Sequence, residues 1–412
     1  MSDVGASTGT LSKEALPSAA SSSPEAFASA IDRRHEASRS VVLRYRNAVR
    51  LEADEEQDIR LKTLLERTSI AEGLRVFPLF THRGVEIDVL DETTLMSTRT
   101  LKSIDGCVTT AQCLLRGHRR VVFESGGNTG TALTVYGIRA GLDTFFFLPA
   151  ENLPLLDGKA FAGATAHVIA VDDPREVKAA AAAFAARHGL ARIPVLDWRL
   201  QASTFVGCFV LEHLLAYEPY DVLAQSISAA FSPVGIYRMI GPHRERIGRL
   251  PAFLGVQQAA NCPMVRAWRA GTEAAVVEPV ESTAGLLAKV MYDGNPGTYG
   301  TFGPLRRILL ETAGDLTTID REDFRRELWA DVGGKTVLDH LAERGVLVTL
   351  REGEVLEKAG LMALAGTLRE IESGRIAPGS RVLVCVTGGT ARPEGTVAAT
   401  RWADEELEDH RG

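Results

Sequence analysis

Two short stretches of this chain carry residue types that chemistry needs. The first, Glu124-Ser125-Gly126-Gly127-Asn128-Thr129-Gly130, follows the apolar run Val121-Val122-Phe123 and opens a helical one, Thr131 to Gly141. Three glycines in five residues let the backbone turn sharply and approach a ligand closely. Ser125, Asn128 and Thr129 offer side-chain hydrogen bonds, and the following helix offers unpaired N–H groups and the positive end of its dipole. That construction suits a small anion such as a carboxylate, and it equally suits an ordinary strand–turn–helix connection. The second stretch is Thr98-Arg99-Thr100-Leu101-Lys102-Ser103-Ile104-Asp105-Gly106, which leads into another helical segment. A lysine held on a rigid element and partly desolvated keeps a neutral amine that serves as nucleophile or base. Taken alone, Lys102 is equally a surface lysine at a helix start.

Together the two stretches resemble the lysine segment and asparagine loop of the fold-type II pyridoxal-phosphate enzymes, which include threonine, cysteine and cysteate synthases and the tryptophan synthase β-subunit. The interval from Lys102 to Asn128 leaves room for the helix and strand that separate these motifs in the family. The resemblance implies that Lys102 holds pyridoxal 5'-phosphate covalently and later acts as base at the substrate's α-carbon. It implies that Asn128 bonds the cofactor's phenolic oxygen, and that Ser125, Gly126, Gly127 and Thr129 bind the substrate α-carboxylate. Thr387, after the apolar run Val382 to Val386, matches the Ser or Thr that the family sets against the pyridine nitrogen. A neutral hydroxyl there makes a weaker electron sink than a carboxylate would, which suits eliminations and replacements.

The pattern departs from the family at two places. Lys102-Ser103-Ile104-Asp105 stands where the family often has Lys-Asp-Arg, so Asp105 is displaced. The Gly-rich phosphate loop is replaced by Ala229-Ala230-Phe231-Ser232-Pro233-Val234-Gly235-Ile236-Tyr237-Arg238, in which Pro233 lacks an N–H and Phe231 is bulky. The remaining donors for a phosphate are Ser232, the N–H groups of Val234, Gly235 and Ile236, and a compensating charge from Arg238 or His243. Softer parallels lie at Leu254 to Gln257, Cys262 to Ala267, Asp293 to Pro296 and Glu357 to Gly366, so the resemblance spans Phe77 to Gly389.

The implied protein is a lyase or transferase carrying out β- or γ-elimination or replacement on an amino acid with an anionic leaving group, threonine-synthase-like, working as a cytoplasmic homodimer. Two alternatives stand beside it. One is a degenerate, non-catalytic member that binds an amino acid or a protein partner. The other is an unrelated anion-binding α/β enzyme.

The elements that must position these residues follow from patterning. Helices and strands alternate from Leu101 to Ala216: helix 104–116, strand 120–123, helix 131–140, strand 144–148, strand 166–171 and helix 175–188. Such alternation predicts a parallel sheet covered by helices on both faces. Val85 to Leu90 alternates with period two and reads as a strand; further strands are expected at 225–230, 252–256 and 381–387, and a long helix at 355–373. The expected organisation is two parallel-sheet, three-layer domains with the cofactor cleft between them. The larger is built from 38–100 and 217–403 and the smaller from 101–216, flanked by a flexible tail 1–37 and an acidic tail 404–412.

Composition agrees. The chain has 412 residues, 45% of them hydrophobic, enough for a large core in two domains. A net charge of -7 argues against a nucleic-acid or anionic-membrane surface. The five cysteines are odd in number and form no C-x-x-C pair, and no histidine spacing suggests a metal. Gly333-Gly334-Lys335-Thr336 ends like a P-loop, but Trp329 occupies the place of its first glycine.

Overall fold

In this computed structural model the described residues are 24–49, 55–275, 277–278, 283–293, 296–389 and 394–402. Two sheets organise them. The larger has six strands in the order Arg75–His82, Val85–Asp91, Arg381–Val386, Val222–Ser226, Ala252–Gln258, Asp315–Ile319. Its first two strands form an antiparallel hairpin through Arg83-Gly84, and every other pairing is parallel. The smaller has five parallel strands in the order Thr400–Arg401, Ala166–Val171, Asp143–Pro149, Arg120–Glu124, Ala191–Arg192.

The sequence runs that build these strands are apolar on both faces, and the structure shows why. Along Arg381–Val386, Val382, Val384 and Val386 join one buried cluster with Leu254 and Val256, while Leu383 and Cys385 join another with Leu223 and Phe253. The smaller sheet divides in the same way, with Val121 and Phe123 on one face and Val122 on the other. A strand covered on both sides must be apolar at every position, which marks a central parallel strand.

Most expected elements appear within a residue or two. Three differ in ways that matter. The strand expected at 225–230 runs instead from Val222 to Ser226, and Ile227 to Ala230 form a loop that ends with Ala230 at a left-handed φ of 53°. The helix expected at 355–373 is shorter, Met362–Glu372, preceded by a single 3-10 turn at Ala359–Leu361; this leaves Glu357 on a loop. Ordered structure also begins before residue 38. Pro24–Ala30 is helical, Phe27 and Ala30 enter the core, and buried Arg46 pairs with Asp32. Residues 1–23 and the acidic stretch 404–412 lie outside the described residues. Among the described residues no helix is long and apolar enough to cross a membrane.

Candidate active site

Lys102 is the first residue of the helix Lys102–Leu115. The segment leading to it is pinned to the end of the central strand: Leu101 N–H donates to Thr387 O at 3.0 Å, and Thr100 bridges to Gly388. From the other side, Ser97 Oγ and Thr98 N–H both bond Ser103 Oγ, and Ser97 also bonds the buried Tyr136 hydroxyl. The helix start is thus held at both ends, as a residue that must present one atom accurately requires.

The amine meets Asp105, displaced by one turn as the sequence indicates. Lys102 Nζ lies 3.0 Å from Asp105 Oδ2, and Arg199 Nη2 lies 3.8 Å from the same oxygen. Burial lowers the lysine's pKa, Asp105 opposes that fall, and Arg199 adds to it. Glu92, near enough to Lys102 to feel its charge, is fully buried, and burial pushes its pKa up to about 8.

The Ser125–Gly130 turn leads from the strand Arg120–Glu124 into the helix Asn128–Ala140. Its glycines answer to space. A Cβ on Gly126 would come within 3.0 Å of the Val290 backbone, and one on Gly130 within 2.1 Å of the Phe146 ring. Asn152 Nδ2 donates to Gly126 O, and Gly127 N–H donates to Ser125 Oγ. Asn128 Nδ2 donates to Glu357 Oε1 at 2.9 Å across the cleft, and the other Glu357 oxygen accepts from Gly360 N–H. Burial raises the Glu357 pKa.

A single cavity of about 290 Å³ collects Lys102, Ser125, Gly126, Asn128, Thr129, Ser232 and Thr387. Gly127 lines a neighbouring chamber instead. Val234, Gly235, Ile236 and Arg238 lie further along the helix Phe231–Ile240 and are outside the cavity lining. Gly235 is at a helix crossing, where an added Cβ would meet Ser203 Oγ at 2.2 Å. Besides Lys102, two cations line the cavity: Lys178, which is paired with Asp293, and Arg199, from the helix Leu196–Ala216. The Arg199 guanidinium lies 4.5 Å from the Phe231 ring centroid, Nη2 reaches Thr129 Oγ1 at 3.4 Å, and its buried Nε has no hydrogen-bond partner among the described residues. No motif marks Arg199 in the sequence. The only signal was a charged residue in the first turn of an otherwise buried helix.

A second group of donors in the cavity suits a phosphate. Ser232 Oγ is buried without a partner among the described residues in the first turn of the helix Phe231–Ile240, where the Phe231 and Ser232 N–H groups precede the first intrahelical bond, from Val234 N–H to Ala230 O. Lys102, Asn128 and Thr387 line the same cavity. This donor set fits pyridoxal 5'-phosphate: an amine, hydroxyls, and a helix N-terminus for the dianion.

A family model described as pyridoxal-phosphate dependent enzyme matches residues 74–388. The chain belongs to that family. Among its relatives, the cysteate synthase of Methanosphaerula palustris is 28% identical over 295 residues, covering 65% of this chain and 61% of the relative. The threonine synthase of Methanosarcina acetivorans is 24% identical over 284 residues, covering 66% and 62%. The chain therefore spans about three fifths of the length of these relatives. Threonine synthase from Escherichia coli superimposes with a TM-score of 0.59 at 14% identity, covering 84% of this chain and 75% of that one. Diaminopropionate ammonia lyase from Escherichia coli also gives 0.59, at 15% identity, covering 82% and 89%. The fold is that of the fold-type II pyridoxal-phosphate enzymes, and pyridoxal phosphate is the cofactor of this pyridoxal-phosphate-dependent family member.

Proposed function

We propose that this enzyme eliminates or replaces an anionic substituent at the β- or γ-carbon of an amino acid, in the manner of a threonine or cysteate synthase. The observation that carries the reading is the convergence of Lys102, Arg199 and Thr129 in one cavity: an amine, a guanidinium and the carboxylate-binding turn. When bound, the cofactor supplies the electron sink that makes the substrate's α-proton removable.

The chain's own residues divide the remaining work. Ser125, Gly126 and Thr129 hold the α-carboxylate with hydroxyls and backbone N–H groups at a helix N-terminus. Gly127, at the same turn, gives the backbone its close approach. Lys102 Nζ takes the proton from the α-carbon, and Asp105 tunes how readily that amine is neutral at working pH. Arg199 binds the departing anion, its guanidinium held in place by the Phe231 ring. Ser232 and the helix start behind it hold the cofactor phosphate. Asn128 orients the cofactor ring, and Thr387 supplies a neutral hydroxyl at the ring nitrogen.

The test is turnover of O-phosphoserine and O-phosphohomoserine by the loaded enzyme, read as inorganic phosphate release, beside serine and homoserine. Release from one phosphorylated amino acid and none from its unphosphorylated parent is expected. Equal handling of both would remove the anionic leaving group from the reading. The altered phosphate loop favours the alternative of a non-catalytic, amino-acid-binding member. Cofactor uptake with no release from either compound would support it.

A further inference from the structure

A second chamber adjoins the catalytic cavity. It has a volume of about 370 Å³, within the range of small-molecule sites, and meets the first cavity at Thr100, Asn128, Val290 and Glu357. The Asn128–Glu357 hydrogen bond therefore stands in the partition between them. We propose that this chamber is a separate binding site for a compact organic anion with an apolar body.

Its walls are mainly apolar, including Val135, Leu155, Leu156, Leu286 and Leu287. Arg99, Lys289, Arg321 and Lys358 supply positive charge. Lys289 is paired with Glu151 and Lys358 with Glu354, but neither arginine is paired with a carboxylate among the described residues. Arg99 Nη1 donates to Thr94 O, and Arg321 Nη2 donates to Leu286 O, which fixes each guanidinium while leaving other N–H donors. Of the two acids in the lining, Asp157 is engaged on Oδ1 by the N–H groups of Lys159 and Glu394, and Glu357 accepts from Asn128 Nδ2 and Gly360 N–H.

Arg99 carries a second argument. Its φ is 58°, a left-handed conformation that glycine adopts freely and an arginine, with its Cβ, seldom does. It lies three residues before Lys102, in a segment bonded on both sides, where Gly389 N–H donates to Arg99 O. An arginine held there against its backbone preference points to a use for its side chain. Apolar walls with unpaired guanidinium groups describe the complement of a hydrophobic carboxylate. Such a molecule would sit one hydrogen bond away from the reacting centre, as a second reactant or as an effector.

The experiment is calorimetric titration of the full chain with 4-phenylbutyrate, in cofactor-free and pyridoxal-phosphate-loaded protein, with neutral 4-phenylbutanol as the control. Binding of the acid in both forms, at least about tenfold tighter than the alcohol, is expected. Arg99→Gly suits the left-handed backbone, so a loss there reports the guanidinium and not the fold; a weakening of about tenfold or more is expected. Ala160→Trp, which fills the chamber from its lining, should abolish binding, and Arg199→Ala should leave it unchanged. Three outcomes overturn the proposal: no binding by the folded protein, equal binding in wild type and Arg99→Gly, or loss in Arg199→Ala with displacement by pyridoxal phosphate. The last would place the anion in the catalytic cavity. If pyridoxal phosphate itself fails to bind, the cofactor-free titration still decides the chamber.

Discussion

Replacing Asp105 by asparagine should move the pH response of cofactor uptake downward. Asp105 Oδ2 lies 3.0 Å from Lys102 Nζ, with 7% of the aspartate side chain and 22% of the lysine exposed. Burial disfavours the ammonium form, and the Asp105 carboxylate restores part of it. Asparagine keeps the shape and removes the charge. A close contact between charged partners is worth ~1.5–3 kcal/mol net, so loss of the carboxylate should let the amine's pKa fall further. Arg199, 3.8 Å from the same oxygen, remains as a like charge and pushes in the same direction. For a base, a lower pKa means that the neutral, nucleophilic amine persists to lower pH. The assay is the rate of pyridoxal-phosphate uptake by cofactor-free protein, followed by visible absorbance from mildly acidic to alkaline pH. The Asp105→Asn profile should keep its plateau and shift its midpoint downward, giving a ~10- to 100-fold faster rate below the midpoint. An unmoved midpoint, or one shifted upward, would refute the claim that Asp105 sets the charge on Lys102.

Other expectations follow from single groups. Borohydride reduction of the loaded enzyme and peptide mapping should place the cofactor on Lys102; a label on Lys159 or Lys335 would contradict the assignment. Ser232→Ala removes a buried hydroxyl with no partner, so the cofactor-free protein should melt slightly higher while pyridoxal-phosphate affinity falls ~10-fold, and equal signs for the two effects would count against the phosphate role. Glu92, with its pKa raised to about 8 against ~4.3 unfolded, contributes stability that is fully present below ~4.3 and lost as pH rises through about 8. That loss approaches ~1.4 kcal/mol per pH unit between the two values, and Glu92→Gln should flatten the slope of denaturation midpoints over that range; parallel slopes would exclude Glu92 as its source. Arg199→Ala should weaken binding of a phosphorylated amino acid by ~10-fold or more and scarcely alter binding of its unphosphorylated parent, as read from amino-acid-induced spectral shifts.

The sequence was most legible where one local pattern decides the structure. Val382 to Val386 could only be a strand covered on both faces, and the Ser125–Gly130 turn with its glycines could only connect a strand closely to a helix. Boundaries were legible only where a residue enforces them. Gly141 and Gly189 end their helices in the left-handed conformation, as their type predicts. By contrast, the strand Val222–Ser226 stops where Ile227 to Ala230 turn toward the helix Phe231–Ile240, and no glycine or proline announces that turn. Long-range partners were the least legible. Arg199 reaches Thr129 and Phe231 only because the helix Leu196–Ala216 packs against the helices that begin at Lys102 and Phe231. Glu357 meets Asn128 across the cleft for a similar tertiary reason.

The departure at Phe231 has a physical consequence beyond the loss of a small residue in the phosphate loop. A glycine there would leave Arg199 a long, rotatable side chain with an unsatisfied Nε and a like charge at Lys102 nearby. The Phe231 ring gives the guanidinium a face to stack on at 4.5 Å, worth ~0.5–2 kcal/mol depending on desolvation. That contact holds Nη2 between Thr129 and Asp105. Under the proposed function, the residue beside the cofactor-phosphate donors is therefore also the one that positions the cation for the substrate. One side chain serves both, so a glycine restored at 231 would ease the approach to the phosphate while loosening the guanidinium that the proposed reaction needs.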